Sequence, residues 1–268
     1  MHGGGTKVAD AVDAIVLAAL PEEMRPLRAM LADLRPFADD GESWRGRWGS
    51  REMALVVTGD GARNARAGAT AAFLRVRARA VIAIGVAGAL SPELAAGDLL
   101  VAHQVLREDG NAWKAPPALL AAAAHLPAAR PAALISVPRL AASRADKRHL
   151  AIVAGQLAPG LAAAVDLESA AFAAAAIAWG RPWLILRAIS DEAHEELPAL
   201  LNDCLDEGGA LRRGRLAVGL FRQPSLLPGL LSIRQRVHRC AETLAAAVLA
   251  VIARLGEIDE EERQAAET

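Results

Sequence analysis

The chain has 268 residues, of which 53% are hydrophobic and 23% are charged, and its formal net charge is −1. A chain of this length and composition can bury a sizeable core, which excludes a disordered polymer. Its balanced charge, its 3% of aromatic residues and its lack of tyrosine argue against a nucleic-acid binder, which needs basic excess and stacking rings.

Strands and helices alternate along the first half of the chain. Residues 1–13 are predicted to be a disordered or extended N-terminus, and Ala14–Leu20 to be a buried strand. A helix opens at Pro21, because proline and the two following acids suit a first turn, and its apolar face extends to Leu34. The next predicted elements are a hairpin at 44–58, a helix at 62–77, a strand at 80–85, a glycine turn at 85–90 and a strand after Gly97.

The second half continues this alternation. Residues 110–132 and 197–228 show no clear pattern. The other predicted elements are a strand near 134–137, a helix near 140–157, a strand–helix–strand unit within 163–189, a helix at 229–254 and an acidic tail at 256–268. The alternation predicts a single α/β domain at 14–255, with a mixed central sheet between helical layers.

Acidic residues follow several of the predicted strands. One strand delivers Asp166 and Glu168 to the start of a helix, and a second strand ends in Ser190 and Asp191. Glu23 comes shortly after the first strand of the chain. Because ligands bind at the carboxyl ends of strands in open α/β sheets, we expect these acids to meet at one edge. Taken singly, each acid also fits an ordinary charge or cap at a helix start.

Two glycine-containing segments allow both functional and structural interpretations. Gly59 and Gly61 separate a strand from a helix, but no acid lies between positions 60 and 93 to bind a dinucleotide ribose. The segment is therefore either a tight turn or a small anion site with Arg63 alongside. The segment GVAGAL at 85–90 is either a close-packed turn or a place where backbone approaches a ligand.

Several chemistries lack their sequence signatures. There is no G-x-S-x-G, H-E-x-x-H or paired C-x-x-C motif, so a serine hydrolase is disfavoured and no metal is predicted. Cys204 and Cys240 are expected to be buried small residues rather than a disulfide. The apolar run Ala14–Leu20 is too short for a signal peptide, and no uncharged run reaches the ~20 residues of a bilayer span, which predicts a cytoplasmic protein.

The segment 197–237 is rich in leucine and arginine. It is expected either to cover a lipid tail or touch a membrane surface, or to pack as an arm between subunits. Its arginines include Arg212, Arg213, Arg215, Arg222 and Arg234.

Taken together, five segments resemble the nucleoside phosphorylase superfamily, notably the methylthioadenosine/S-adenosylhomocysteine nucleosidases. Order and spacing match as well as content. The valine of GVAGAL, the run SDEAHEELP and the segment RQPSLLPGLLSIRQR are most similar to the hopanoid-associated phosphorylases, which act on adenosylhopane. The five segments are IVLAALPEEM, VVTGDGARNARAGA, AVIAIGVAGALSPELAAGDLLVA, AAVDLESAAFA and PWLILRAISD.

The resemblance implies a role for each candidate residue. Asp191 would protonate the purine at N7, Glu23 would position the attacking water, and Glu168 would bind the ribose hydroxyls. Leu167 replaces the usual ribose-binding methionine, and the segment at 138–142 lacks the expected base-stacking aromatic. The residues implied to line the substrate are Gly85, Val86, Ala87 and Ser190, with Arg63 as a phosphate candidate.

The function implied is cleavage of the N-glycosidic bond of an adenine nucleoside with a bulky 5′ substituent. An ordinary methylthioadenosine/S-adenosylhomocysteine nucleosidase and a non-catalytic nucleoside-binding protein stay as alternatives. No cofactor is implied beyond inorganic phosphate as a co-substrate, and hydrolysis and phosphorolysis both stay open. A homo-oligomer is expected by analogy with the superfamily.

Overall fold

A computed structural model describes residues 11–38, 41–206 and 212–266. These residues form a ten-stranded mixed sheet with helices on both faces, which confirms the predicted single-domain α/β class. Of the predicted N-terminal segment, residues 1–10 lie outside the described residues, and 11–13 belong to the first strand. Cys204 and Cys240 are buried free thiols.

The elements have the following bounds. The strands are β1 Ala11–Ala18, β2 Ala32–Pro36, β3 Ser43–Trp48, β4 Arg51–Val57, β5 Arg77–Ala89, β6 Leu99–Arg107, β7 Ala112–Lys114, β8 Arg130–Ser136, β9 Ala162–Asp166 and β10 Trp183–Asp191. The helices are α1 Pro21–Met30, α2 Ala62–Arg75, α3 Pro117–Ala123, α4 Arg144–Leu157, α5 Ser169–Ala178, α6 Leu200–Asp203, α7 Arg213–Arg222 and α8 Leu227–Ala266, with a 3₁₀ turn at Pro224–Leu226.

The long strand β5 organises the sheet. It pairs in parallel with β1 and β10, and its last residues pair antiparallel with β9. Since β10 also pairs with β6, β6 with β8 and β8 with β9, five strands close into a ring. The strands β1, β4, β3 and β2 extend from this ring as an open sheet. The carboxyl ends of β1, β5, β9 and β10 therefore come together at one end of the ring.

Helices cover the sheet on opposite faces. The helix α2 buries Ala65, Ala69 and Phe73 at helical spacing against one face, where α5 also packs. On the other face, α8 buries Leu244 and Val248 in the cluster that contains the apolar residues of α1. The edge of the sheet at the carboxyl ends is left open between these layers.

The structure corrects three of the predicted element boundaries. The first helix ends at Met30 rather than near Leu34, because the chain turns into β2 and pairs with β3. The predicted turn at 85–90 is instead the extended end of β5, since Gly85 pairs with Arg187 and Gly88 with Asp191. The last helix continues past 254 through most of the predicted acidic tail, to Ala266.

The two segments without a predicted element also contain structure. The first holds β7 and α3, and β8 begins within it at Arg130. The second holds α6, α7 and the 3₁₀ turn, apart from residues 207–211, which lie outside the described residues. Apart from the first residues of α8, both consist of elements only 3 to 10 residues long, which leaves too few periods for a sequence pattern.

Candidate active site

A cavity of about 240 Å³ lies at the carboxyl ends of β1, β5, β9 and β10. The three predicted acids, Glu23, Glu168 and Asp191, all line it, and their exposures are 3%, 9% and 5%. Acids from three distant parts of the chain thus face one small space. An apolar wall completes the cavity and includes Leu140, Ala141, Leu197, Leu201, Leu205, Ile233 and Val237.

Glu23 is fixed by backbone amides at both of its oxygens. The Leu20 amide donates to Oε2 at 3.0 Å, and the Val86 amide donates to Oε1 at 3.1 Å. Burial raises the pKa of the Glu23 carboxyl, and the Arg187 guanidinium opposes that rise. Proline at the first helical position and the acidic first turn place this carboxyl at the mouth of the sheet.

Arg187 is a site residue that the sequence analysis missed. Its side chain is 1% exposed, and its Nε donates to Asp166 Oδ2 at 2.8 Å. Within the described residues, its buried Nη1 has no hydrogen-bond partner. A β-carbon built on Gly85 would lie 2.7 Å from that Nη1 and 3.1 Å from Glu23 Oε1. Only glycine at position 85 therefore lets the Arg187 guanidinium and the Glu23 carboxyl lie this close to β5.

Asp166 serves as the anchor for Arg187. Besides the Arg187 contact, it accepts hydrogen bonds from the hydroxyls of Ser136, at 2.6 Å, and of Ser169. With its oxygens occupied in this way, Asp166 orients the guanidinium rather than binding a ligand. The sequence does contain a signal for Arg187, because it is the single charged residue in the apolar stretch WLILRAIS.

Glu168 is held by the turn between β4 and α2. The Gly61 amide donates to Glu168 Oε1 at 2.8 Å, and Gly61 has a φ of +83°, which favours glycine. Burial raises the pKa of Glu168 to about 8, with the Asp166 charge adding to the rise and Arg187 opposing it. The turn predicted as a small anion site thus binds a carboxyl group of the protein itself.

Arg63 does not join this cavity. It is exposed on the first turn of α2 and lines a neighbouring cavity of about 700 Å³ together with Arg66, Arg107 and Trp113. Arg63 thus does not line the cavity of the acids, and its role as a phosphate ligand stays a prediction.

Asp191 accepts hydrogen bonds at both oxygens. The Ser190 hydroxyl donates to Oδ1 at 2.6 Å, and the Lys147 ammonium donates to Oδ2 at 2.6 Å. A β-carbon on Gly88 would lie 2.9 Å from Oδ2, so glycine gives the carboxylate its space. Lys147 was also missed, because it stands in a charge-rich helix start, RADKR, typical of a solvated surface.

The remaining predicted lining residues divide into two groups. Val86, Ala87, Leu167 and Ser190 line the cavity, whereas Gly85 lies buried below it beside Arg187 and Glu23. No aromatic side chain is found among the described lining residues, and Val137 and Leu140 occupy the region near the expected base-stacking position. The described part of the chain holds no group of three or more metal-ligating side chains.

Residues 13–211 match the model of the phosphorylase superfamily. The chain belongs to the phosphorylase superfamily. A 5′-methylthioadenosine/S-adenosylhomocysteine nucleosidase of Geobacillus kaustophilus is 33% identical over 203 residues, which are 68% of this chain and 86% of that protein. An aminodeoxyfutalosine nucleosidase of Helicobacter pylori is 26% identical over 217 residues, covering 72% of this chain and 91% of the relative.

Solved structures show the same fold as this superfamily member. The 5′-methylthioadenosine/S-adenosylhomocysteine nucleosidase of S. pneumoniae, with a transition-state inhibitor, superposes with a TM-score of 0.68 at 18% identity, covering 91% of this chain and 99% of that one. A point mutant of the Helicobacter pylori enzyme, with 5′-methylthioadenosine in the active site, gives 0.70 at 20% identity, covering 90% and 98%. The predicted family and the predicted enzyme class, a nucleosidase or nucleoside phosphorylase that cleaves N-glycosidic bonds, are confirmed.

Glu168→Gln is expected to make this superfamily protein less sensitive to alkaline pH. The Glu168 carboxyl has a pKa of about 8 when folded and 4.5 as a model value, so between these pH values the folded state binds the extra proton. The stability that protonated Glu168 contributes is therefore fully present below pH 4.5 and is lost as pH rises through about 8. The loss is a few kcal/mol at most, at about 1.4 kcal/mol for each unit of pKa difference.

Glutamine cannot ionise, yet it keeps an oxygen for the Gly61 amide. Thermal unfolding without ligand should show the variant melting above the wild type at pH 8.5, with the difference shrinking towards pH 5. The exposed Glu93→Gln serves as control and should follow the wild-type curve. Parallel melting curves for Glu168→Gln and wild type would contradict the raised pKa.

Proposed function

We propose that this enzyme hydrolyses the N-glycosidic bond of an adenine nucleoside that carries a bulky apolar 5′ substituent, of the adenosylhopane type, and releases adenine. The observation that carries the proposal is the convergence of Glu23, Glu168 and Asp191 on one cavity. Beside Glu23 lies the buried Arg187 Nη1, which has no hydrogen-bond partner among the described residues. Cleavage of this bond builds positive charge on the sugar and negative charge on the base, and the acids suit both.

Each acid has a place in this reaction. Glu168, with a pKa of about 8, ionises as pH rises towards that value. Its carboxylate then accepts hydrogen bonds from the 2′- and 3′-hydroxyls and stabilises the developing cation. Asp191 directs the leaving-group proton to N7, so adenine departs as a neutral molecule. Glu23 takes a proton from the nucleophile that it shares with Arg187.

Glu23 and Arg187 favour water as the nucleophile. The Glu23 carboxyl can accept a hydrogen bond from water, and Arg187 Nη1, which has no partner among the described residues, can donate one. A phosphate dianion would meet the Glu23 carboxylate, and the other candidate cation, Arg63, lines a different cavity. We therefore propose hydrolysis over phosphorolysis.

The apolar wall of the cavity supports an apolar 5′ substituent. Each square ångström of apolar surface that such a substituent buries there contributes about 25 cal/mol. The amino-acid end of S-adenosylhomocysteine would instead bring two charges against aliphatic side chains, which is unfavourable without partners. Methylthioadenosine, which is small and apolar, stays the second candidate substrate.

Release of adenine from a panel of nucleosides tests the function. We expect kcat/KM to rise from S-adenosylhomocysteine to methylthioadenosine to adenosines with a long 5′-alkyl chain, with or without added phosphate. Leu201→Ser should lower kcat/KM for the long-chain substrate more than for methylthioadenosine. A higher kcat/KM for methylthioadenosine than for the long-chain substrate would support the ordinary nucleosidase. Adenine release that requires phosphate would establish phosphorolysis. If no substrate releases adenine, only the binding protein remains.

We also propose that α7 and the start of α8 contact an anionic membrane surface. Four apolar side chains there are exposed: Val218 by 53%, Phe221 by 90%, Leu227 by 47% and Leu231 by 49%. Residues 208–241 contain seven arginines and no acid. Arg236 is paired with Glu195, and the other six match anionic lipid headgroups. Among the described residues, none of the helices has the length and apolar character needed to cross a bilayer.

Sedimentation with lipid vesicles tests this contact. Vesicles that contain anionic phospholipid should retain the protein, purely zwitterionic vesicles should not, and Phe221→Ser should weaken retention. Equal behaviour of both vesicle types would contradict the membrane contact. If analytical ultracentrifugation shows instead that Phe221→Ser dissociates an oligomer, the patch joins subunits, as the expected homo-oligomer allows.

A further inference from the structure

Asp191 is paired with a buried lysine behind the cavity wall. Lys147 Nζ lies 2.6 Å from Asp191 Oδ2 and donates to the Glu192 carbonyl at 2.6 Å. The side chain of Lys147 is only 1% exposed and that of Asp191 only 7%. The Ser190 hydroxyl lies 2.6 Å from the other oxygen of Asp191 and 3.3 Å from the Ala87 carbonyl. The short contact with an ammonium, which has only donors, is that of an ionised carboxylate.

The local structure delivers Lys147 to this place. Ser143 and Asp146 form a capping box that fixes the start of α4, and the Lys147 amide donates to the Ser143 carbonyl at 3.1 Å. Asp191 lines the cavity and Lys147 stands behind it. The other nearby acid, Glu195, is already bound by Arg236, whose Nη1 lies 2.8 Å from both of its oxygens. The ammonium is thus directed to Asp191.

Stability alone is a weak explanation for this pair. Replacing a buried ion pair with apolar residues of similar volume is often neutral or stabilising, because desolvation offsets the attraction. The pair also presents a chemical problem. An ionised Asp191 has no proton to give to N7, whereas the ammonium 2.6 Å away does.

We propose that Lys147 is a positioning residue that stores the leaving-group proton and passes it to Asp191 during the cleavage proposed above. The proton moves from Nζ to Oδ2, which gives a neutral amine and a neutral acid. The acid then protonates N7 as the C1′–N9 bond breaks, and the electron pair of that bond stays on adenine. Water adds to C1′ and loses one proton through Glu23 to solvent, and one proton returns from solvent to Lys147.

Two substitutions separate proton storage from charge. Lys147→Arg keeps a cation with several donors, but a guanidinium does not release its proton. Lys147→Ala removes both charge and proton and leaves space for a small amine. Arg148→Ala, on the exposed side of the same helix, is the matched control and should leave kcat unchanged.

Both Lys147 variants should lower kcat by about 10²–10⁴-fold, the usual contribution of general acid catalysis. The affinity for an uncleavable adenine nucleoside should change far less. In Lys147→Ala, methylamine or ethylamine should restore kcat about tenfold or more, with more acidic primary amines acting faster, as Brønsted behaviour requires. Tetramethylammonium, which is a cation without a transferable proton, should not restore it.

Rescue by tetramethylammonium as effective as that by methylamine would overturn the proposal, since charge alone would then suffice. Wild-type kcat in Lys147→Arg would overturn it as well. Thermal unfolding of each variant confirms that folded protein is compared. Either of these two outcomes overturns only the role of Lys147, provided that the wild type releases adenine. A wild type that releases no adenine overturns the proposed function itself.

Discussion

Asp191→Asn is expected to lower kcat by about 10²–10⁴-fold while leaving the binding of an uncleavable adenine nucleoside largely intact. Asparagine has nearly the same shape as aspartate, and its oxygen can still accept from Lys147. It cannot carry the proton to N7, so only the chemical step is affected. Single-turnover release of adenine and calorimetric titration with the analogue measure the two effects separately.

Two controls make this result interpretable. Loss of the carboxylate leaves the Lys147 ammonium less well paired, so the melting temperature should fall, and kcat must be measured where the variant is folded. Ser190→Ala removes a hydrogen bond to Asp191 without removing the proton carrier, and its kcat should fall much less. Unchanged turnover in Asp191→Asn would rule out the acid role and, with it, the proton path from Lys147.

Strand ends were the part of the site that the sequence could predict. Glu23, Glu168 and Asp191 each follow a recognisable apolar strand, and parallel strands bring their carboxyl ends to one edge. Arg187 carried a signal as well, as a lone charge in an apolar strand. It was overlooked because its meaning depends on Asp166 and Gly85, which are distant in sequence.

The sequence could not reveal contacts that exist only after packing. Lys147 has charged neighbours typical of a solvated helix, and its burial follows from the packing of α4 against β8 and β9, which brings it to Asp191. The end of the first helix was misplaced because Leu31 and Leu34 fit helical spacing, while pairing with β3 decides the strand. The glycines of GVAGAL indicated a turn, but their real use is to make room beside Arg187 and Asp191.

Glu23→Gln is expected to lower kcat to a similar extent, by about 10²–10⁴-fold, because an amide cannot take a proton from the attacking water. Burial raises the pKa of Glu23, and the base acts only when ionised. The wild-type rate should therefore rise with pH through the raised pKa of Glu23. The variant should lose that part of the profile and keep the rise that belongs to Glu168, near pH 8. Adenine release across pH 4.5 to about 9 measures both effects.

Glu22→Gln, one position earlier on the same helix, is the matched control, because Glu22 does not line the cavity. It should keep the wild-type rate and the wild-type pH profile. A Glu23→Gln variant that keeps full turnover would show that Arg187 positions the water without a base. In that case the developing cation, held by Glu168, would be electrophilic enough to capture neutral water. The carboxyl of Glu23 would then only orient the water through the oxygen that also holds the Val86 amide.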